Sequence, residues 1–280
     1  ITLSILLSVS AWLLLACSAH ADDAFVDRLF SKYNAQKGPG IAALIIQKDV
    51  VLHSKGYGFA DSKQTPISEH TDFFLASLSK QFTGMAVAQL IQKGLLAESD
   101  LVLKYIPELP AYGANITLSH LLHHTSGLVD YVNDSPDACS QLHENTDLLA
   151  FLKNQKGLHF QAGKEYKYNN TGYALLALII ERVTGAKFAS VLHSQILDPL
   201  GMNQTQIHDI DHQTISDAAT GFIRAAPNYK TVNIEHCGNI YGDRGIYTSL
   251  DDLQKWIWGL GHNKDFVALL PMVFQNATTN

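Results

Sequence analysis

The sequence predicts a soluble protein of mixed α and β structure, on three observations. Two β-rich runs meet at a tight polar turn early in the chain, and a long stretch of helical periodicity follows them. With 46% hydrophobic residues in 280, there is enough apolar material for one large core or two intimate ones. Charged residues make up only 16%, with a formal net charge of −6. No basic surplus or block of like charge points to nucleic acid or to an acidic membrane surface. No internal repeat, heptad run or low-complexity tract competes with this reading.

The first element, "ITLSILLSVSAWLLLACSAHADD", is an apolar run closed by small residues and two acids. Ala19-His20-Ala21 fits the small-x-small rule for cleavage, so residues 1–21 read as an export signal and the mature chain starts near Asp22. As a membrane anchor the run is short of the roughly 20 apolar residues a span needs. Leu14-Leu15-Ala16-Cys17 also resembles a lipoprotein box, in which Cys17 carries lipid and ties the protein to a membrane. Either route exports the protein to a periplasmic or extracellular space. The chain opens on Ile1 without a basic segment, so it reads as a fragment at its start. In an oxidising compartment Cys139 and Cys237 are able to pair, although two cysteines make no disulfide framework.

"DDAFVDRLFSKYNA" has apolar residues at helical spacing. "GIAALIIQKDVVLHSKGYGFAD" reads as a hairpin turning at Lys48-Asp49, and a two-strand hairpin needs further strands or a covering helix. "SKQFTGMAVAQLIQKGLL" is a helix ending at Gly94. Further helical patterns are "ITLSHLLHHTSGL", "NTDLLAFLKNQ", "TGYALLALIIERVTG", "KFASVLHSQILDPLGM" and "SLDDLQKWIWGL", the last opened by Ser249 and Asp252 as a capping box.

Chemistry concentrates in "FFLASLSKQF". Chance alone supplies about one Ser-x-x-Lys in a chain of this composition, so Ser77 and Lys80 prove nothing by number. Geometry is the reason to look again. Residues three apart share a helix face, so Lys80 can lie against the Ser77 hydroxyl. Partial burial would disfavour the charged lysine and let it act as, or help, a base. Ser79 has no lysine three residues on. A serine nucleophile also needs a proton acceptor and a grip on its carbonyl substrate. Tyr-x-Asn offers both, and it occurs as Tyr131-Val132-Asn133 and as Tyr168-Asn169-Asn170. Tyr168 stands in a polar loop directly before an apolar helix, with Asn170 or Thr171 as its N-cap, whereas Tyr131 follows Gly127 in an unanchored loop that at most lines the cleft. His120 and His124 are spaced to share a metal on a helix face, but no acid lies between them as in His-Glu-x-x-His.

"FFLASLSKQFTGMAVAQLIQKG", "ITLSHLLHHTSGLVDY", "KYNNTGYALLALIIERVTG", "ILDPLGM" and "GIYTSLDDLQKW" follow one another as in the serine β-lactamase-like family, which holds class C β-lactamases, DD-peptidases and related esterases. The chain resembles that family over nearly its whole mature length. The resemblance implies an α+β fold, in which an antiparallel sheet with flanking helices meets a mostly helical domain and the site lies between them. It divides residues 22–280 into a sheet-side part, 22–76, and a mainly helical part, 77–280. It implies catalytic Ser77, Lys80 and Tyr168, substrate binding by Asn170, and neither metal nor cofactor; "HTSGL" in it is a structural element.

One departure is serious. The family's third motif, Lys-Thr-Gly or His-x-Gly on a late strand, has no Lys-Ser/Thr-Gly here. His236-Cys237-Gly238 matches literally but precedes "GDRGIYTSLDDLQKW", which comes before the third motif in relatives. The reading is therefore a chain without its late strands, with half of the oxyanion hole, the Ser77 N–H, in place. Ala162 replaces a frequent proline, a minor change. The expected function is an exported serine hydrolase that forms an acyl-enzyme on Ser77 with a small-molecule or peptide substrate, be it a β-lactam, a D-Ala-D-Ala peptide or an ester. The alternatives are a slowly acylated or non-catalytic penicillin-binding or sensor module, or an inactive truncated product.

Overall fold

In the computed structural model, which describes residues 23–34, 39–135, 137, 141–209, 215, 218–226, 228–232 and 239–273, the early hairpin turns where expected. Strands β1 (Ile41–Gln47) and β2 (Val50–Tyr57) pair antiparallel, and Gln47 faces Val50. Lys48 and Asp49 between them both take positive φ, 47° and 65°, which a two-residue type I′ turn requires. The expected export signal, Cys17, the Cys139–Cys237 pair and His236-Cys237-Gly238 lie outside the described residues.

A covering helix, not further strands, completes this hairpin among the described residues. Helix α1, residues 23–34, lies on it. The Tyr57 hydroxyl donates to Asp27 at 2.7 Å, His53 pairs with Asp23, and the Phe30 and Tyr57 rings meet at 5.4 Å. A second sheet, in the order β3-β7-β4, joins Phe73–Phe74, Ile246–Thr248 and Gln206–Ile207, all antiparallel. Strands β5 (Gly221–Ala225) and β6 (Asn228–Val232) form a separate, more exposed hairpin. The sequence reading found none of β3 to β7. In β3, β4 and β7 two or three residues are too few to display a period of two, β7 is buried at every position, and the five-residue β5 and β6 show no regular alternation of buried and exposed positions.

Helix α2 (Lys80–Gln92) is buried at every residue from Phe82 to Leu90. Helix α5 (Asn170–Thr184) is buried from Ala174 to Ile180. A helix that is covered all round belongs in the centre of a fold, and these two pack against each other. Around them stand α3 (Leu118–Leu122), α4 (Asp147–Lys153), α6 (Phe188–Leu192), α7 (Leu250–His262) and α8 (Lys264–Val273). A π-helical turn, His193–Leu197, prolongs α6 as far as Leu200, where Gly201 ends it at φ 68°. Each fully buried Leu, Ile, Val or Phe here is worth roughly 1.5–3 kcal/mol. The architecture is α+β, with small antiparallel sheets set against a helical body.

Three expectations change in detail. Helix α3 is shorter than its periodicity suggested, because His124 turns left-handed at φ 58° and stops it. Asn169 caps α5, its Oδ1 accepting from Gly172 N at 2.8 Å. Asn170 and Thr171 do not cap, because their side chains are engaged across the site. At α7, Ser249 caps as expected, with Asp252 N donating to its Oγ at 3.3 Å. The reciprocal half of the capping box is missing among the described bonds, since the Asp252 carboxylate instead takes the N–H groups of Gln204 and Thr205.

Candidate active site

Sheet β3-β7-β4 fixes the segment that carries the serine. Leu75 N donates to Ile246 O at 2.9 Å, and Ile246 N donates to Ser79 Oγ at 3.3 Å, so β7 holds both ends of a short 3₁₀ turn, Ala76–Ser79. Ala76 has φ 47°, a region that a side chain with Cβ enters only at a cost. This strained residue immediately precedes Ser77, which is solvent-exposed, while Ser79 is buried. Of the two serines, only Ser77 faces solvent at the head of α2.

Lys80, one turn on, is buried, and its ammonium has three neighbours for its three donors. Nζ lies 3.4 Å from Ser77 Oγ, 2.8 Å from Asn170 Oδ1 and 2.9 Å from Asp243 O. Asn170 is held at its other end by Asp130. The Asn170 Nδ2 donates to the two carboxylate oxygens at 3.2 and 3.1 Å, and the Asn170 main-chain N–H donates there too. Asp130 also accepts from Val132 N and Asn133 N, both at 2.8 Å, so this buried carboxylate is well supplied with donors. The network fixes the amide orientation, oxygen to Lys80 and nitrogen to Asp130. A negative charge, an amide dipole and a positive charge therefore stand head to tail.

The Tyr168 hydroxyl hydrogen-bonds Ser77 Oγ at 2.8 Å, and Lys80 Nζ lies 4.9 Å from the centre of its ring. Tyr168 is 37% exposed, open to an incoming molecule. All four residues singled out in the sequence thus meet at one point, with both ends of the Asn170 amide engaged by protein groups. Behind Lys80 lies a cavity of about 200 Å³, bounded by Gln81, Gly84 and Ala88 of α2, by His124 and Tyr173, and by Met272.

Tyr131 sits elsewhere than its sequence context suggested. It is fully buried and does not line an open cleft. Its hydroxyl donates to the Asp243 carboxylate at 3.0–3.1 Å, and burial, then the Asp243 charge, push the phenol well above its ordinary range. Arg244 completes the pairing, with Nε 3.1 Å from Asp243. The three histidines have separate duties. His120 Nδ1 accepts from Thr117 N in a capping box at the start of α3, and His123 Nδ1 turns to Ser119 O. His124 Nδ1 accepts from Asn169 N at 3.1 Å, and its ring lies 4.6 Å from that of Tyr168. Burial, then the nearby Lys80 charge, lowers His124 to about 4, so the ring is neutral near pH 7.

Sequence reasoning missed Asp130, Asp243 and His124 as members of the site. A faint signal existed for two of them. Asp130 directly precedes the discarded Tyr131, and Asp243 stands in "YGDRG", between two glycines with φ near 97°. A Cβ on Gly242 would stand 2.6 Å from Tyr173 O, so glycine there lets the loop press onto α5.

Comparison with known proteins identifies the family. The family model described as Beta-lactamase matches residues 26–278. A penicillin-binding protein of Bacillus subtilis (strain 168) is 35% identical over 184 residues, covering 62% of this chain and 39% of that protein. Protein flp of Staphylococcus aureus (strain COL) is 31% identical over 235 residues, 81% of this chain and 46% of its own length. The solved structure of the octameric penicillin-binding protein homologue from Pyrococcus abyssi superposes with a TM-score of 0.75 at 26% identity, over 87% of this chain and 57% of that one. The chain spans about half the length of the curated relatives it matches. With the match running through nearly all of the described residues, the chain belongs to the beta-lactamase family.

Proposed function

We propose that this protein is an exported serine hydrolase that opens an amide, ester or β-lactam carbonyl through an acyl-enzyme on Ser77. The single observation that carries the reading is the meeting of Ser77 Oγ, Tyr168 Oη and Lys80 Nζ, at 2.8 and 3.4 Å from the serine oxygen. Lys80, held by Asn170 and Asp243, presents positive charge to the serine and to the tyrosine ring, where it stabilises negative charge as it develops in the reacting complex. Tyr168 takes the Ser77 proton as Oγ bonds to the carbonyl carbon. The carbon–nitrogen or carbon–oxygen bond then breaks, and Tyr168 returns the proton to the leaving group. Water attacks the ester so formed and gives a proton to Tyr168, which passes it to Ser77 Oγ as the carbon–Oγ bond breaks, releasing the acid and restoring both side chains. The Ser77 N–H is one donor for the oxyanion. Asn170, its amide spanning Lys80 and Asp130, acts here by seating the ammonium, and any substrate contact comes through an edge of that amide. Export follows from the apolar run closed by Ala19-His20-Ala21, and places the enzyme where cell-wall peptides or secreted esters are within reach.

Time-resolved intact mass with a penicillin and an activated ester, beside Ser77→Ala, tests this reading. An adduct that needs Ser77 and decays supports a hydrolase, and the faster-decaying probe names the better substrate class. An adduct that persists favours a penicillin-binding role. No Ser77-dependent adduct overturns the nucleophile.

A further inference from the structure

We infer that His124 is the positioning residue for Tyr168, a clamp on both sides of the tyrosine and not a proton carrier. Two hydrogen bonds bracket the tyrosine in sequence. Lys167 N donates to His124 O at 3.0 Å, and Asn169 N donates to His124 Nδ1 at 3.1 Å. Between those two anchors the imidazole lies beside the phenol, with ring centres 4.6 Å apart and planes 33° apart. The same imidazole rests against Tyr173 at 5.3 Å, and Tyr173 is tied by its hydroxyl to Leu122 O at 3.1 Å. One residue thus fixes the main chain before and after Tyr168 and also restricts the swing of its ring.

The backbone supplies an independent sign of a specific fit. His124 adopts φ 58°, a left-handed conformation uncommon outside glycine, in which asparagine, aspartate and histidine are the side chains most often found. The turned backbone is what aims both its carbonyl and Nδ1 at the Tyr168 segment. The imidazole does not serve as a base, because Nδ1 already accepts the Asn169 N–H. Tyr166, Tyr168 and Tyr173 pack around it, and burial, then the Lys80 charge and more weakly His123, outweigh the opposing Asp130 charge and leave it neutral down to about pH 4.

The inference rests on the acid–base role proposed for Tyr168, and its test separates the two. Asparagine tolerates the left-handed backbone and offers Oδ1 where histidine has Nδ1, so His124→Asn is the conservative replacement and His124→Ala the disruptive one. With the activated ester, His124→Ala should lower the acylation kcat/KM about 10- to 100-fold at unchanged KM, the cost of a misplaced catalytic group. His124→Asn should recover most of that loss. Tyrosine labelled with ¹³C at Cζ, and assigned through Tyr168→Phe, gives a readout independent of turnover. The Tyr168 resonance should stay sharp in the wild type and in His124→Asn, apart from the small offset that loss of the imidazole ring current gives both variants, and should broaden in His124→Ala. A Tyr168 resonance as sharp in His124→Ala as in His124→Asn overturns the clamp, as does a His124→Asn variant as impaired as the alanine. If the wild type itself never labels Ser77, the hydrolase reading fails, while the resonance still decides the clamp.

Discussion

Tyr131 and Tyr168 head the same three-residue pattern, and their fates are opposite. Tyr168 stands 37% exposed, with its hydroxyl on the serine. Tyr131 is sealed in the core, with its hydroxyl spent on the Asp243 carboxylate and its proton held more firmly than in water. The two segments are also stitched together. Asp130 takes the Asn170 amide, Tyr131 N donates to Thr171 Oγ1 at 3.1 Å, Thr171 Oγ1 donates to Val129 O, and Asn169 Nδ2 donates to Leu128 O at 2.7 Å. One copy therefore builds the bed on which the other works. A phenol becomes chemistry or architecture according to whether its hydroxyl meets an open nucleophile or a buried charge.

The sharpest way to break this comparison is to delete each hydroxyl in turn. Tyr168→Phe should lower turnover about 10²- to 10⁴-fold, the usual worth of a positioned proton carrier, and leave stability within about 0.5 kcal/mol. Steady-state kinetics beside chemical denaturation reads both. Next in size is Asp130→Asn, which turns an amide N–H₂ toward N–H groups that need an acceptor. Denaturation should show a loss of about 3 kcal/mol or more, with activity falling alongside as Asn170 loses its seat. Tyr131→Phe should cost about 1–3 kcal/mol, because it strips a donor from the buried Asp243, and its effect on turnover should be smaller than that of Tyr168→Phe. Were Tyr131→Phe to abolish turnover in a fully stable protein, the division between bed and worker would fail.

Acid probes the seam between the segments. Asp134 binds Lys167 at 2.7 Å, His159 at 2.8 Å and Asp130 N at 2.9 Å. Burial pushes its carboxyl up, but the Lys167 bond, the Asp130 N–H and His159 outweigh that and hold it at about 2, against an ordinary 3.8. A carboxyl lowered by folding stabilises the native state fully above its unfolded value and loses that contribution as the pH falls through the folded one. Stability should therefore decline by on the order of 1–2 kcal/mol between about pH 4 and pH 2, and Asp134→Asn should remove that part of the slope in pH-dependent unfolding. The smallest change sharpens the background. Gly84 sits mid-helix in α2, and a Cβ there meets nothing within 4 Å, so Gly84→Ala should add up to about 1 kcal/mol by thermal denaturation and keep the weaker variants folded for assay.

What the sequence could disclose follows the range of the interaction. Ser77 and Lys80 are three residues apart, and Tyr168 stands two before Asn170 at the head of an apolar helix, so local spacing exposes them. The Lys48-Asp49 turn is likewise local. Asp130 reaches Asn170 across 40 residues, His124 reaches Asn169 across 45, and Asp243 reaches Lys80 across 163. No periodicity encodes such pairings. The same holds for β3 and β7, two short strands whose partnership places the serine. Asn170 shows the limit from the other side. Its type and place suggest a hand for substrate, and what they could not disclose is that both ends of the amide also have a protein partner.

The seat of Lys80 has a consequence for the life of the molecule before it is native. Its acceptors come from residues 90 and 163 positions away, and they converge only when the distant loops have docked. Under the proposed mechanism, a chain collapsed with its helices unpacked holds Ser77 as an ordinary alcohol. If Ser77 is the nucleophile proposed above, reactivity arrives together with the last long-range closure, and covalent capture there would double as a clock for maturation that counts only molecules that have completed it.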